Sequence, residues 1–269
     1  MSASSSDMIA ALAGELRAAR LEARSVAPVR DRLAEGGIDA AYAVQDAITV
    51  ADIAEGRRLV GRKIGLTSPA VQRQLGVAEP DYGMLFADMN RDEREGIAID
   101  RLVAPKVEAE IAFVIGRALD RPAPTIADVI CAIEFALPAL EIVDSRVAGW
   151  DISILDTVAD NASSALFVLG GTPTRLSADD LAIAGMVLEA DGDPVSFGAG
   201  AACLGHPVVA VRWLAARMQA LGRPLGEGDI VLSGALGPMI AAKAGTSYEA
   251  RINGVGTVRA SFSATEARA

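Results

Sequence analysis

Two hydrophobic periodicities divide this chain end to end instead of alternating along it, and that segregation constrains the fold most. Before about residue 75 apolar residues recur at helical spacing: Ile9, Leu12, Leu16 and Leu21 predict an amphipathic helix over residues 7–23. Pro28 interrupts it, and Asp39 is placed to cap a second helix running to about Glu55, with Gly56 as its stop. Arg58 to Leu66 reads as a short strand, and Ser68-Pro69 as the N-cap and first position of a short helix stopping at Gly76. Residues 80–105, broken by Pro80, Gly83, Gly96 and Pro105, read as irregular. Strands then dominate, over 105–116, 138–143, 164–170, 186–190 and 229–233, with helices over 125–136, capped by Thr125, and from His206-Pro207 to Gly222. Asp191-Gly192-Asp193-Pro194 is a turn, and Asn253-Gly254 predicts a two-residue hairpin between two closing strands. Helices followed by strands imply an α+β fold with an antiparallel or mixed sheet, not a doubly wound one. The expected division is a helical N-terminal part, 1–80, and a β-rich core, 81–269.

Composition then narrows the chemistry. The 269 residues are 51% hydrophobic, enough for a substantial core, but only 4% aromatic, so the core is mostly Ala, Val, Leu and Ile. Lys and Arg total 25 against 35 Asp and Glu, a net charge of −10, which argues against a nucleic-acid partner. The single histidine, His206, excludes a two-His metal site, and two cysteines, Cys131 and Cys203, exclude a four-cysteine zinc site. No run approaches the roughly 20 apolar residues of a membrane helix. Met1 to Asp7 lacks the basic and apolar segments of a secretory signal, so the expected location is the cytoplasm, with reduced thiols and no membrane partner. Chemistry must come mainly from carboxylates, lysine, hydroxyls or backbone.

The sharpest local feature is Lys106-Val107-Glu108-Ala109-Glu110-Ile111-Ala112-Phe113-Val114. Alternation in a strand puts Val107, Ala109, Ile111 and Phe113 on one face and Glu108 and Glu110 on the other, roughly 7 Å apart. Beyond the glutamates that second face becomes apolar, with Ala112 and Val114. Two carboxylates on a half-buried face repel each other and lose hydration, and a cation between them removes both problems. Glu141 lies within a second apolar run, Pro138 to Val143. Three glutamates on neighbouring strands suit Mg²⁺ or Mn²⁺. The alternative is a solvated Glu108–Glu110 face, with Glu141 paired to Arg146.

Gly61-Arg62-Lys63-Ile64-Gly65-Leu66-Thr67-Ser68 places a lysine between glycines just before a capped helix, either facing a cleft or at a surface strand end. In a cleft, desolvation or a nearby cation would lower its pKa toward neutrality. Asp229 to Gly237 ends a strand in Ser233-Gly234, whose hydroxyl and open N–H groups can bind a carboxylate, or is a plain exit into a loop. His206 reads as a cap histidine and Cys131 as a core residue of a helix.

Taken in order, these segments resemble the 2-keto-4-pentenoate hydratase family of the fumarylacetoacetate hydrolase superfamily. The resemblance rests on Gly61 to Ser68, Gln74-Leu75-Gly76-Val77, Pro80-Asp81-Tyr82-Gly83-Met84-Leu85-Phe86-Ala87-Asp88-Met89, Pro105 to Glu110, Leu140 to Arg146, Asp160-Asn161-Ala162-Ser163 and Gly228 to Leu236. It runs over about residues 10–262; each block alone is weak, and seven in order are specific. It implies a helical N-terminal part on a mixed β-roll core, and homo-oligomers of pentameric rings, single or paired as a decamer. It also implies Mg²⁺ or Mn²⁺ held by Glu108, Glu110 and Glu141. Lys63 would lie at the reaction centre with Asp81 and Ser163, and Ser233 and Asn161 would bind substrate.

The implied reaction hydrates 2-hydroxypenta-2,4-dienoate (2-oxopent-4-enoate), from meta-cleavage of aromatic compounds, to 4-hydroxy-2-oxopentanoate. Lys63 and Asp81 would transfer protons and Ser163 position water, while the ion acts as a Lewis acid. A sister activity, 4-oxalocrotonate decarboxylase, would use the same metal site, although the Glu79 to Met89 stretch looks more like the hydratases. Carbon–carbon hydrolases of the superfamily use a His-Glu dyad on an N-terminal lid, and His206 lies far from that region. A non-catalytic subunit would be expected to lack a glutamate or Lys63, and all four are present. The substrate tail is not fixed by these residues.

Overall fold

The helical spacing of the first residues is realised as α1 (Ser5–Leu21), a short α2 (Arg30–Leu33) and α3 (Gly37–Ala54). The structure is a computed structural model and describes residues 5–75, 77–176 and 180–263. Gly76, expected as a helix stop, and residues 1–4 of the N-terminal segment lie outside the described residues. Leu12 and Leu16 of α1 pack on Val44 and Ile48 of α3 and on Val158 and Ala159, a core separate from that of the strands. Asp52 on α3 accepts hydrogen bonds from Arg17 and Arg20 of α1 and from Arg57. Burial opposes its ionisation, but the Arg20 and Arg17 bonds outweigh it and hold the carboxyl down at about 2.

The rest of the chain supplies β1 (Leu59–Gly65), α4 (Pro69–Leu75), β2 (Asp81–Phe86), β3 (Asn90–Arg91), β4 (Gly96–Ile97) and β5 (Lys106–Ile115). Then come α5 (Ile126–Ala132), β6 (Ile133–Val143), α6 (Ile154–Ala159), β7 (Ser164–Leu169), β8 (Gly185–Ala190) and β9 (Asp193–Ala199). The chain continues with α7 (Pro207–Ala220), β10 (Ile230–Leu232), β11 (Ile240–Ala241), β12 (Ser247–Ile252) and β13 (Gly256–Phe262). One mixed sheet runs β2-β1-β10-β5-β6-β7-β3, with β11 also paired to β5; a second runs β4-β13-β12-β8-β9. The fold is α+β, as the segregated periodicities require. The 80/81 boundary drawn from sequence falls between β1 and β2, which are hydrogen-bonded neighbours. No helix among the described residues is long and apolar enough to cross a membrane.

Several expectations need correction. The stretch 80–105 holds β2, every residue of which is buried, so no alternation marks it in the sequence. The helix expected over 125–136 ends at Ala132, and β6 starts at Ile133, not Pro138. Pro138 sits within β6 because its carbonyl accepts from Gly170, just past the end of β7, where the strand partner has run out. The turn at Asp191-Gly192 opens an unforeseen strand, β9. The Asn253-Gly254 hairpin joins β12 to β13 through three residues, since Ile252 pairs with Gly256. Cys131 is exposed, because Val129 and Ala132 form the core face of α5. The cap reading of His206 agrees with the structure: it is the N-cap of α7, its Nδ1 accepting from Val208 N–H at 3.0 Å.

Candidate active site and metal centre

Strand β5 is the spine of the site. Its full length pairs with β6, which places Glu108 directly opposite Glu141, with Glu110 two residues further along the same face. One carboxylate oxygen from each of Glu108, Glu110 and Glu141 lies within 4.8 Å of the others. Glu110 and Glu141 are fully buried. Glu110 Oε2 accepts from Gly234 N–H at 2.8 Å. Its Oε1 and both Glu141 oxygens have no hydrogen-bond partner among the described residues.

Burial, reinforced by Glu141 and opposed by Lys63, pushes the Glu108 carboxyl up to about 7; burial with both neighbouring carboxylates pushes Glu110 well above its ordinary range. Two buried carboxylates with unsatisfied oxygens, and the half-buried Glu108 beside them, are costly at one point unless a cation joins them, and an all-oxygen set suits a hard divalent ion. The alternative pairing of Glu141 with Arg146 does not occur. Arg146 instead forms a buried ion pair with Asp160 at 2.6 Å.

Lys63 reaches the cluster from β1, its Nζ 3.3 Å from Glu141 Oε2 and its side chain almost fully buried. In a cleft, desolvation alone would lower the lysine pKa. Burial acts in that direction, but Glu141, Asp81, Glu108 and Glu110 outweigh it and raise the value. Asp81 heads β2 opposite Gly65, buried, with neither carboxylate oxygen hydrogen-bonded among the described residues. Burial raises its carboxyl to about 6, with Lys63 opposing and Glu141 adding. A Cβ added at Gly65 would lie 2.1 Å from Asp81 Oδ1 and 3.4 Å from Lys63 Nζ, so both groups converge over this glycine.

Opposite Lys63 on β2 is Gly83, and the turn Asn161–Ser163 packs onto it: a Cβ there would meet Asn161 O at 2.5 Å. Asn161, Ala162 and Ser163 have φ of 53°, 52° and 53°, a left-handed run without glycine that persists only where its surroundings hold it. Asn161 Oδ1 accepts from Met84 N–H, and its Nδ2 donates to Met84 O. Arg146 donates to the Asp160 carboxylate and carbonyl, and to Asp144 O and Ser164 O. The turn thereby buries Ser163 Oγ without a hydrogen-bond partner among the described residues.

Ser233 follows β10. Its N–H donates to Ile111 O, and its Oγ is likewise buried and unpartnered among the described residues. Next to it, Gly234 has φ +106° and abuts Thr67. The Cys203 thiol donates to Gly234 O, and burial, with Glu110 nearby, pushes it up to about 12.

The structure therefore gathers Lys63, Asp81 and the three glutamates, links Ser233 to Glu110 through Gly234, and sets the Ser163 turn over the strand pair that carries Lys63 and Asp81. Cys203, Lys106 and Trp150 had no assigned role in the sequence, and Arg146, offered there as a partner of Glu141, instead holds the Asn161–Ser163 turn through Asp160. Lys106 was legible, because strand alternation places it on the face of Glu108 and Glu110.

Residues 68–263 match the family model for the fumarylacetoacetate (FAA) hydrolase C-terminal domain. The chain is 60% identical to a TodF product hydratase of Pseudomonas putida, covering 88% of this chain and 89% of that one. It is 57% identical to 2-keto-4-pentenoate hydratase 1 of Dechloromonas aromatica, covering 94% and 96%. Among solved structures, 4-oxalocrotonate decarboxylase from Pseudomonas putida G7, complexed with magnesium and adipate, superposes with a TM-score of 0.91 at 35% identity, covering 94% of this chain and 97% of that one.

Proposed function

This chain belongs to the fumarylacetoacetate hydrolase family, and within it to the 2-keto-4-pentenoate hydratases, and on that footing we propose that it adds water to 2-hydroxypenta-2,4-dienoate (2-oxopent-4-enoate), giving 4-hydroxy-2-oxopentanoate. The observation that carries the reading is the convergence of the carboxylates of Glu108, Glu110 and Glu141, the last two buried with oxygens that lack a hydrogen-bond partner among the described residues, beside Lys63 and Asp81. Those three glutamates would hold one divalent cation, Mg²⁺ or Mn²⁺. The magnesium complex of the similar decarboxylase supports a divalent ion. When bound, the ion supplies Lewis-acid stabilisation of negative charge on the substrate.

The chain's own residues move the protons. An electron-rich dienol resists addition of water, so a proton must first reach C5 and leave the 2-hydroxyl, giving a 2-oxo-3-enoate with an electrophilic C4. Water then adds at C4 and a proton at C3. Lys63 Nζ and the Asp81 carboxyl are the donor and acceptor for these transfers. Once the glutamates are committed to a cation, Asp81 is the lysine's remaining anionic neighbour, which brings the two toward proton exchange. Ser163 Oγ holds the attacking water, and Ser233 Oγ holds the substrate carboxylate, the Ser233 and Gly234 N–H groups being engaged by Ile111 O and Glu110. Asn161, whose amide is engaged by Met84, acts on the substrate by setting the turn that presents Ser163. The proposal includes a cytoplasmic homo-oligomer built from pentameric rings, supported by the family resemblance.

The test is a panel of 2-hydroxydienoates with added Mg²⁺ or Mn²⁺, followed by loss of conjugated-dienol absorbance. Glu108→Ala should lose metal binding and activity together; full turnover of that variant in chelator-treated buffer would overturn the metal assignment. The close superposition on a decarboxylase supplies a second reading, decarboxylation of 4-oxalocrotonate, at a lower identity than the hydratases. Release of CO₂ from that dicarboxylate faster than hydration of the dienoate would favour it.

A further inference from the structure

On β5 the side chain of Lys106 follows Glu110 and Glu108 along one face. Along that row Glu110 is fully buried, while Glu108 and Lys106 are half-buried, so the row runs from the enclosed centre toward solvent. Among the described residues no carboxylate lies within ion-pair distance of Lys106. Its ammonium instead sits 3.9 Å from the centroid of the Trp150 ring, a cation–π contact that fixes the head group without neutralising it.

The indole is itself held. Its Nε1 donates to Ala104 O at 2.9 Å, and its backbone lies in the left-handed region, φ +56°, after Gly149 at +65°. A bulky residue adopts that conformation only under constraint. The Asp144 carboxylate accepts from Val103 and Ala104 N–H, so the loop after β6 grips the start of β5 at two points, and Lys106 is the outcome of that grip.

Charge shows what such a cation is for. Three glutamates and Asp81 carry more negative charge than one divalent ion and Lys63 cancel, and the whole chain carries −10. A 2-oxo acid approaching as an anion meets repulsion at every range except where a fixed cation faces it. We propose that Lys106, propped on the Trp150 ring at the mouth of the site, is the substrate-recognition cation that captures the anionic 2-oxo acid and guides it to the glutamate centre, with Trp150 as its positioning residue. This rests on the hydratase reading for the substrate's charge.

The experiment compares wild type with Lys106→Met, Lys106→Arg and Trp150→Leu. Lys106→Met should raise KM about tenfold, the scale of one charge–charge contact at a partly solvated site. Its kcat should stay near wild type, and the fall of kcat/KM with ionic strength should flatten. Lys106→Arg, which keeps the charge and stacks on an aromatic face, should restore KM and the salt dependence. Trp150→Leu should fall between.

Calorimetric binding of 2-oxopentanoate, a saturated and unreactive 2-oxo acid, in the presence of Mg²⁺ should weaken in parallel, while Mg²⁺ affinity without the acid is retained. The proposal is overturned if Lys106→Met keeps the wild-type KM and ionic-strength slope, if it lowers kcat instead of raising KM, or if the arginine variant is equally impaired. Should wild type hydrate no dienoate, the functional reading falls, and the 2-oxopentanoate comparison still decides the role of Lys106.

Discussion

Opposite Asp81 on the β1–β2 ladder stands Gly65, and a Cβ built there lies 2.1 Å from Asp81 Oδ1. No real side chain tolerates that separation, so Gly65→Ala must displace the carboxylate from its place beside Lys63. A displacement of about 1 Å at a proton-transfer group costs on the order of a hundredfold in rate. Gly65→Ala is therefore expected to lose about two decades of kcat while keeping its affinity for Mn²⁺, measured by titration, because no glutamate is touched. A variant with wild-type kcat would show that the Asp81 position is not critical. At this scale the sequence was legible wherever alternation placed a charge in apolar surroundings, as with Glu108, Glu110 and Glu141. It was not legible where a partner depends on distant chain: Arg146 pairs with Asp160, brought in by the turn after α6, and not with Glu141.

The turn Asn161–Ser163 is the element that completes the site. It is left-handed at three residues, none of them glycine, so its conformation is imposed by neighbours and not by local preference. One of those neighbours is Met84, whose N–H and C=O are both engaged by the Asn161 amide in a buried setting. Asn161→Ala leaves both groups unsatisfied at about 1–3 kcal/mol each, and releases the turn that carries Ser163. The expected result is a matching loss in denaturant-measured stability together with a fall in kcat. Asn161→Asp keeps the acceptor but not the donor and should fall between; full stability in the alanine variant would show that water replaces the amide. Nothing in Asp160-Asn161-Ala162-Ser163 announces such a turn, since the glycine that usually marks it is missing. Strand β2 was hidden for the opposite reason: it is buried on both faces and shows no period. Strand β5, with one polar row, was legible from end to end.

For the molecule as a whole, the cluster couples protonation, metal and stability. Burial raises Asp81 to about 6 and Glu108 to about 7 in the metal-free chain, above the ordinary carboxylate values of an unfolded one. Between those ordinary values and the raised ones the folded chain binds more protons than the unfolded chain, so stability from this cluster is fully present at low pH and declines as pH rises through about 6 and 7. A divalent cation takes the place of those protons. Mg²⁺ should therefore raise the melting temperature little near pH 5 and more near pH 8. At a concentration a hundredfold above Kd, one bound ion adds about 2.7 kcal/mol. At about 2–4 °C per kcal/mol for chains near this size, that is a shift of about 5–10 °C. Thermal melts at both pH values, with Mg²⁺ and with chelator, measure the difference directly, and Glu108→Ala should abolish it. A metal-induced shift equal at both pH values would mean that the ion displaces no protons from these carboxylates. The glutamate centre would then already be ionised in the metal-free chain, held open by Lys63 alone.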